Sequence, residues 1–224
     1  MRAIAPQLSL VEQAYEAILA AIADGRLAPR ARLIQDELAE TLGVSRQPVG
    51  QALQLLRKHG IVSDAVRRGL IVAPLDFNFV RDLFDIRLAF DAIAAHHAAA
   101  RNAALAREKG LAIVKKGKAA IKTGVIAKMI AADMEFHFFL YGLSENSLIA
   151  EISEPHWHYL RRLMGETLLH DETPEDIWAQ HEAIMQAVAQ GRPDEAENLA
   201  REHISTASRV MLKRIRENPH DAMK

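Results

Sequence analysis

Four polar side chains in the second half of the chain stand at positions where a helical pattern requires apolar ones. Asp133 and His137 interrupt the apolar stripe of residues 126–140, His181 that of residues 177–188, and His203 that of residues 196–210. An Asp and a His four positions apart share one face of a helix, and buried polar groups need partners. Carboxylates and imidazoles are also metal ligands. The four side chains therefore predict one divalent metal site, with zinc favoured and nickel, iron or manganese open.

A structural role and a catalytic role are the alternatives for these four residues. A single inward histidine is more often a hydrogen-bonded core residue than a ligand, but here three helices repeat the same departure from the pattern. A helical bundle with inward Asp and His could also be a metallohydrolase or a di-iron protein. However, residues 181–185 fail the zinc-protease pattern, and we find no paired-carboxylate site, phosphate loop or nucleophile elbow. The sequence thus favours a binding protein over an enzyme.

Two further residues of this half are candidates for holding an effector. Arg87 lies on an inward stripe with Asp91, so it could clamp an effector carboxylate or form a salt bridge with Asp91 four positions away. His156 falls on the inner side of its segment and could line the same cavity. The charge of a divalent metal ion inside an apolar bundle would be only partly neutralised by the single carboxylate of Asp133, so the ion would attract a further negative ligand. We therefore expect a small carboxylate effector, while a metal sensor, in which the ion itself is the signal, stays an alternative.

In the first half, residues 35–59 form two short helical patterns separated by Gly43. The second begins after Ser45, a favourable N-cap residue, and its apolar stripe contains Val49, Leu53 and Leu56. The opposite face is rich in Gln, which suits contact with adenine, and in Arg, which suits contact with guanine or phosphate. This pattern predicts a helix that reads the major groove of DNA, whereas an ordinary helical hairpin with a solvated face is the alternative.

The flanking sequence distinguishes these two possibilities. An apolar stripe at residues 11–22 predicts a third helix, and residues 61–63 and 70–72 predict strands around a basic turn. This is the outline of a winged helix. Five basic residues between positions 46 and 68 are opposed only by Asp64, and local positive charge neutralises phosphates. The candidate DNA contacts are Arg32, Ser45, Arg46, Gln47, Gly50, Gln51, Arg67, Arg68 and Gly69.

The whole chain of 224 residues is long enough for two domains. After residue 76 the pattern changes to six amphipathic segments, near 77–100, 104–122, 125–141, 147–169, 174–190 and 193–217, which predict an antiparallel helical bundle. We expect a mainly α protein. Residues 1–75 are expected to form a winged helix-turn-helix DNA-binding domain, and residues 76–224 are expected to form an all-α six-helix domain that binds metal and effector and mediates dimerisation.

Charge and composition agree with this organisation. The formal net charge is only -1, but residues 1–75 are slightly basic and the remainder is slightly acidic. The absence of Cys excludes disulfides, a thiol nucleophile and a zinc ribbon. The first residues form no signal-like apolar core, and no apolar run approaches transmembrane length. We therefore expect a cytoplasmic protein.

Both halves resemble bacterial transcription regulators. The run GRLAPRARLIQDELAETLGVSRQPVGQALQLLRKHGIV, followed by RRGLIVAPLD, resembles the winged-helix domain of the GntR family. The resemblance implies that Arg46, Arg67 and Arg68 contact DNA. Many relatives carry a second DNA-contacting Arg in the same helix as Arg46, four residues later, at the position that Gly50 occupies here. A glycine there either lets the backbone approach DNA closely or reflects a lost contact.

The second half is similar to the effector domain of the FadR-like branch of that family. The runs ADMEFHFFL and QHEAIMQAVAQGRPDEAENLAREHI carry this resemblance. It implies that Asp133, His137, His181 and His203 ligate a divalent cation, and six helices suggest the shorter, VanR-like type. We therefore expect a homodimeric, ligand-responsive regulator that binds a palindromic operator in double-stranded DNA.

Overall fold

The computed structural model of the chain describes residues 8–66, 69–170 and 174–217. It contains two compact units, Met1–Pro74 and Leu75–Lys224. The first combines helices with a small sheet, and the described part of the second is helical, which confirms the fold class expected from the sequence. No helix in these ranges combines the length and apolar character needed to cross a bilayer.

The first unit consists of three helices and three short strands. In chain order they are α1 (Leu10–Ala23), β1 (Arg32–Leu33), α2 (Gln35–Leu42), α3 (Arg46–Lys58), β2 (Val62–Asp64) and β3 (Leu70–Val72). Ser9 and Glu12 form a capping box that begins α1. Gly43 has a φ of 64°, which ends α2 in the left-handed conformation and starts the turn to α3. Helix α1 packs on the buried stripe of α3 and forms the core of the unit.

The sheet has the order β1-β3-β2, and both outer strands are antiparallel to β3. Strands β2 and β3 are the two that the sequence predicts. Strand β1, in which Arg32 pairs with Ile71, is not among them. Two residues are too few to show an alternating pattern, so this strand is defined only by its pairing with β3.

The second unit is a bundle arranged around one long helix. Its elements are α4 (Phe77–Ile121), α5 (Ile126–Leu143), α6 (Ser147–His170), α7 (Pro174–Ala189) and α8 (Pro193–Glu217). Helix α4 packs against α5, α7 and α8. It contains the first two predicted segments, joined through Asn102, whose φ of -131° and ψ of 32° are not helical. The side chains of Asn102 and Arg101 donate to the carbonyls of Leu143 and Ser144, which ties this interruption to the end of α5.

Two glycines of α4 let α7 approach closely. A Cβ at Gly117 would lie 1.9 Å from the ring of Trp178, and a Cβ at Gly110 would lie 2.5 Å from Sδ of Met185. Since His181 lies between Trp178 and Met185 along α7, this contact fixes the helix that carries one of the predicted metal ligands.

Candidate functional site

The four predicted metal ligands converge in the interior of the second unit; we call them the histidine cluster. His137 of α5, His181 of α7 and His203 of α8 are buried, and their ligand nitrogens lie within 4.8 Å of one another. The Nε2 atoms of His181 and His203 are 3.2 Å apart. Asp133, one turn before His137, places Oδ1 3.5 Å from Nε2 of His181 and Oδ2 3.7 Å from Nε2 of His137. Three helices thus bring one carboxylate and three imidazoles together.

Side chains around the histidine cluster orient two of its imidazoles. Asp91 of α4 accepts a hydrogen bond from Nδ1 of His137 at 2.9 Å, and Gln180 of α7 accepts one from Nδ1 of His203 at 2.8 Å. With Nδ1 protonated in each ring, Nε2 keeps its lone pair directed into the cluster. Outer partners of this kind commonly orient the histidine ligands of metal ions. Sequence reasoning identified Asp91 only as a partner of Arg87 and did not single out Gln180; the inward position of Asp91 was the available signal.

Burial sets the protonation of the histidine cluster. Burial, together with the nearby His137 and Arg87, lowers the pKa of His203 to about 3. Burial also lowers the pKa of His181 well below its usual value. It raises the pKa of Asp133. Both histidines are therefore neutral at pH 7, the state in which an imidazole binds metal.

Asp91 differs from Asp133 because it accepts hydrogen bonds from both His137 and Arg87. Burial alone would raise the pKa of Asp91, but His137 and Arg87 outweigh that effect and the pKa is lowered. Asp91 is therefore ionised at pH 7, and its negative charge lies behind the ring of His137. A carboxylate in that position increases the basicity of the imidazole towards a metal ion.

The residues of the histidine cluster fit a divalent metal ion. Oδ2 of Asp133 and Nδ1 of His181 are buried without a hydrogen-bond partner among the described residues, and an unsatisfied buried acceptor is costly. A cation held by the four side chains would satisfy the carboxylate of Asp133. Three imidazoles and one carboxylate suit zinc and several other divalent transition metals.

Arg87 of α4 links the histidine cluster to a neighbouring cavity. Its Nη2 is 2.7 Å from Nε2 of His137, its Nε donates to Asp91 at 3.3 Å, and its guanidinium lies 4.9 Å from the ring centre of Trp157. The salt bridge with Asp91, one of the two roles that the sequence left open for Arg87, is present, and effector binding, the other role, stays a prediction. Arg87, Asp133 and His203 all line a cavity of about 80 Å³, which we call the cluster cavity. A guanidinium there can bind a carboxylate.

His156, the second predicted effector contact, lies elsewhere. It lines a different, smaller pocket and not the cluster cavity. Trp157, the next residue of α6, is buried and stacks with Arg87. Neighbouring residues of a helix point about 100° apart, so the inward position of Trp157 turns His156 away. Arg87 lines the pocket of His156 as well as the cluster cavity, and an effector contact at His156 stays a prediction.

The predicted DNA contacts of α3 lie on its exposed face. Arg46, Gln47 and Gln51 are exposed, opposite the buried stripe. Nε of Arg46 forms an ion pair with Oδ1 of Asp36 in α2 at 2.6 Å. Ser45 occupies the predicted N-cap position, but its side chain makes no capping hydrogen bond.

Two further DNA candidates belong to the described part of the sheet region. Arg32 is exposed on β1, and Gly69, with a φ of 104°, immediately precedes β3. The φ of Gly69 lies in the region that favours glycine. Arg67 and Arg68 lie outside the described residues.

Gly50 makes room for a side chain of α2. A Cβ at this position would lie 2.7 Å from Nε2 of Gln35. The same nitrogen donates to the carbonyl of Arg46 at 2.6 Å. The glycine therefore permits a contact between α2 and α3, an explanation that the sequence alone did not provide.

Two known families match most of the chain. Residues 10–72 match the bacterial regulatory proteins of the gntR family. Residues 82–206 match the FCD domain, and this match includes all four residues of the histidine cluster.

Curated relatives are transcription regulators. The Nta operon transcriptional regulator of Aminobacter aminovorans is 32% identical over 122 residues, which are 53% of this chain and 56% of the relative. The uncharacterized HTH-type transcriptional regulator YdhC of Bacillus subtilis (strain 168) is 25% identical over 201 residues, 86% of this chain and 87% of the relative. The chain thus matches little more than half the length of the first relative and most of the second.

Solved structures share the fold. E. coli McbR/YncC has a TM-score of 0.75 at 19% identity, covering 93% of this chain and 99% of that one. The transcriptional regulator GntR from Rhodococcus sp. RHA1 has a TM-score of 0.73 at 21% identity, and the match covers 92% of this chain and 99% of that one. Since the matching gntR family and the relatives are transcription regulators, the protein is a transcription regulator and not an enzyme. The chain belongs to the GntR family of bacterial regulatory proteins and carries an FCD domain in its second unit.

Proposed function

We propose that this regulator binds a palindromic operator as a homodimer and that a small carboxylate, bound beside a divalent metal ion, controls its affinity for DNA. The observation that carries the proposal is the convergence of Asp133 and three Nε2 atoms beside a cavity that Arg87 lines. Zinc is the proposed ion, with nickel, iron or manganese as alternatives.

The DNA-binding part of the proposal uses the exposed face of α3. Two such helices related by a two-fold axis would read the two halves of a palindrome. Arg46, Gln47 and Gln51 would face base edges, and the remaining candidates of α3 and the sheet region would contact the backbone. The ion pair of Arg46 with Asp36 is exposed, and exposed pairs contribute only about 0–1 kcal/mol. Arg46 can therefore exchange Asp36 for guanine or phosphate.

The effector part of the proposal uses the histidine cluster and Arg87. A divalent ion supplies positive charge that attracts a carboxylate oxygen. Once Nε2 of His137 is used as a ligand, Arg87 loses that acceptor and can donate to the effector carboxylate instead. The surroundings are buried, so these electrostatic interactions are stronger than they would be in water.

Control of DNA binding requires that the effector prefer one conformation of the protein. A ligand shifts an equilibrium only by its differential affinity for the two states. A ligand that contacts α4 through Arg87 and α5, α7 and α8 through the histidine cluster would respond to how these four helices pack. This would let the effector favour one dimer geometry over another.

DNA selection followed by binding titrations tests the proposal. Selection from a random pool with the metal-loaded protein is expected to enrich a sequence with two-fold symmetry, and carboxylates are then titrated into that complex before and after metal removal with EDTA. We expect a carboxylate to change DNA affinity only in the loaded protein. An equal change in the stripped protein would contradict the site, and a change caused by the ion alone would indicate a metal sensor.

A further inference from the structure

The wall of the cluster cavity changes character with distance from the histidine cluster. Near the cluster it contains Arg87, Asp133 and His203. The rest of the wall is made mainly of apolar side chains from all five helices of the unit and includes Phe84, Met129, Leu163, Met164, Trp178 and Met211. A ligand that fills this cavity would meet charge at one end and hydrocarbon or sulfur over most of its surface.

Three other polar side chains line the cavity, and two of them make a hydrogen bond within the protein. Among the described residues these are Thr167, Gln180 and Thr206. The amide oxygen of Gln180 pairs with Nδ1 of His203, and the hydroxyl of Thr167 donates to the carbonyl of Leu163 at 3.1 Å. Away from the histidine cluster, a hydroxyl or second carboxylate on the body of the ligand would have only the amide NH2 of Gln180 and the hydroxyls of Thr167 and Thr206 as partners, and unpaired buried polar groups are costly.

We infer that the effector is a compact monocarboxylate with an apolar body, aliphatic or aromatic, and not a sugar acid or a dicarboxylate. This inference rests on the proposed function, because that places the carboxylate at the metal ion and Arg87. The apolar body then lies against Phe84, Met164 and Trp178, where its burial adds affinity in proportion to apolar area. Each hydroxyl on the body is expected to weaken binding by roughly tenfold to a hundredfold.

The size and flexibility of the cavity favour a compact body. Its volume of about 80 Å³ is roughly half of the ~150 Å³ of a cavity that takes up benzene. Met129, Met164 and Met211 line it, and unbranched Met side chains adapt to differently shaped ligands. Small changes in the length of the body are therefore tolerated better than added polarity.

A ligand panel with constant carbon number tests the inference by calorimetry on the zinc-loaded full-length protein. Its members are butanoate, 3-hydroxybutanoate, 3,4-dihydroxybutanoate and butanedioate, with benzoate and 4-hydroxybenzoate as an aromatic pair. None has a hydroxyl next to the carboxylate, so chelation of the metal through such a hydroxyl does not disturb the comparison. We expect butanoate and benzoate to bind at least tenfold more tightly than their hydroxylated partners, and butanedioate to bind weakest.

The substitution Met164→Gln provides an independent test because it adds an amide to the apolar wall at nearly constant volume. It should reduce the advantage of butanoate over 3-hydroxybutanoate severalfold. Met134→Gln, a matched control whose position does not line the cavity, should leave that ratio unchanged. Circular dichroism melts establish that both variants fold, and if Met164→Gln does not, the wild-type panel alone decides.

The outcomes separate this inference from the proposed function. Metal-dependent binding in which hydroxylated acids or butanedioate equal or exceed butanoate and benzoate would overturn the inference and leave the proposed function intact. Binding that persists after EDTA treatment, or no binding by any member of the panel, would contradict the proposed effector site itself.

Discussion

The two units of this regulator place their candidate functional side chains in opposite environments. In the first unit the side chains of Arg46 and Asp36 are 70% and 63% exposed. In the second, His137 and His181 are at most 1% exposed. Water and salt weaken the exposed pair, so Arg46 can change partner at little cost. The buried imidazoles are held by packing and, for His137, by Asp91. The first unit can adapt to a ligand that arrives from outside, whereas the second encloses a site whose geometry is set by packing.

The largest effect expected from this comparison is the loss of metal from the second unit. His181→Ala and His203→Ala each remove one of the four donors that the described helices bring together. We expect the purified wild type to contain about one divalent ion per subunit and each variant to contain almost none. Elemental analysis of dialysed protein measures this.

A matched control is His96→Ala, which removes a partly exposed histidine of α4 that pairs with Glu197 on the surface. Its metal content should equal that of the wild type. Equal metal content in all three variants would mean that His181 and His203 are ordinary core residues. The burial of these side chains would then not reflect a metal site.

A smaller effect is expected from Asp91, which acts on the histidine cluster through His137. Loss of such an outer partner typically reduces metal affinity about tenfold to a hundredfold. Asp91→Ala should therefore weaken zinc binding by that factor in competition with a chromophoric chelator, and Asp91→Asn should weaken it less because the amide oxygen can still accept from Nδ1. Asp82→Ala, at an exposed Asp of the same helix, should have no effect. If Asp91→Ala binds zinc like the wild type, the outer contact does not tune the site.

The contrast also explains what the sequence could predict. A histidine in an apolar stripe departs from the helical pattern, so each of His137, His181 and His203 was visible within its own helix. Their convergence could only be inferred as a hypothesis. The contact of Asp91 with His137 joins residues 46 positions apart, and no local pattern encodes it.

The same limit applies to the first unit. The helical period of the apolar residues predicts the buried face of α3, and it thereby also predicts the exposed polar face opposite. Periodicity does not explain why residue 50 is a glycine, because the space that Gly50 leaves is filled by Gln35 from the preceding helix. Likewise, the continuity of α4 through Asn102 depends on contacts with the end of α5. Local patterns therefore predicted which face of each helix is buried. They did not predict features that depend on contacts between helices, such as the glycine at position 50 and the continuity of α4.

The third prediction concerns the exposed face of α3. Arg46→Ala should lower affinity for the selected operator by about 1–3 kcal/mol if Arg46 reads a base, with a smaller effect on random DNA. Arg67→Ala, at the predicted tip of the wing, should weaken specific and non-specific binding more evenly. Arg26→Ala removes an exposed arginine that pairs with Asp24 just after α1 and serves as the control. Gel-shift titrations on both kinds of DNA measure these effects, and unchanged affinity in the Arg46 and Arg67 variants would contradict the DNA-binding assignment.

The smallest expected effect tests whether the two units are stabilised independently. The hydroxyl of Tyr15 in α1 lies 2.7 Å from Nδ1 of His59 at the end of α3. Burial and the neighbouring Lys58 lower the pKa of His59, so at pH 7 the neutral ring accepts the hydrogen bond. Tyr15→Phe removes this bond and should lower the free energy of unfolding of the first unit by about 0.5–1.5 kcal/mol.

The distribution of tryptophan allows the two units to be followed separately in the intact protein. Both Trp residues of the chain, Trp157 and Trp178, belong to the second unit. Tryptophan fluorescence during urea unfolding therefore reports the second unit, whereas far-ultraviolet circular dichroism reports both. Tyr15→Phe should shift part of the dichroism transition to lower urea and leave the fluorescence midpoint unchanged. The reverse control, Tyr141→Phe at a buried tyrosine beside Asp91, should shift the fluorescence midpoint. If Tyr15→Phe shifts both signals equally, the units unfold as one, and their different environments do not correspond to separate stabilities.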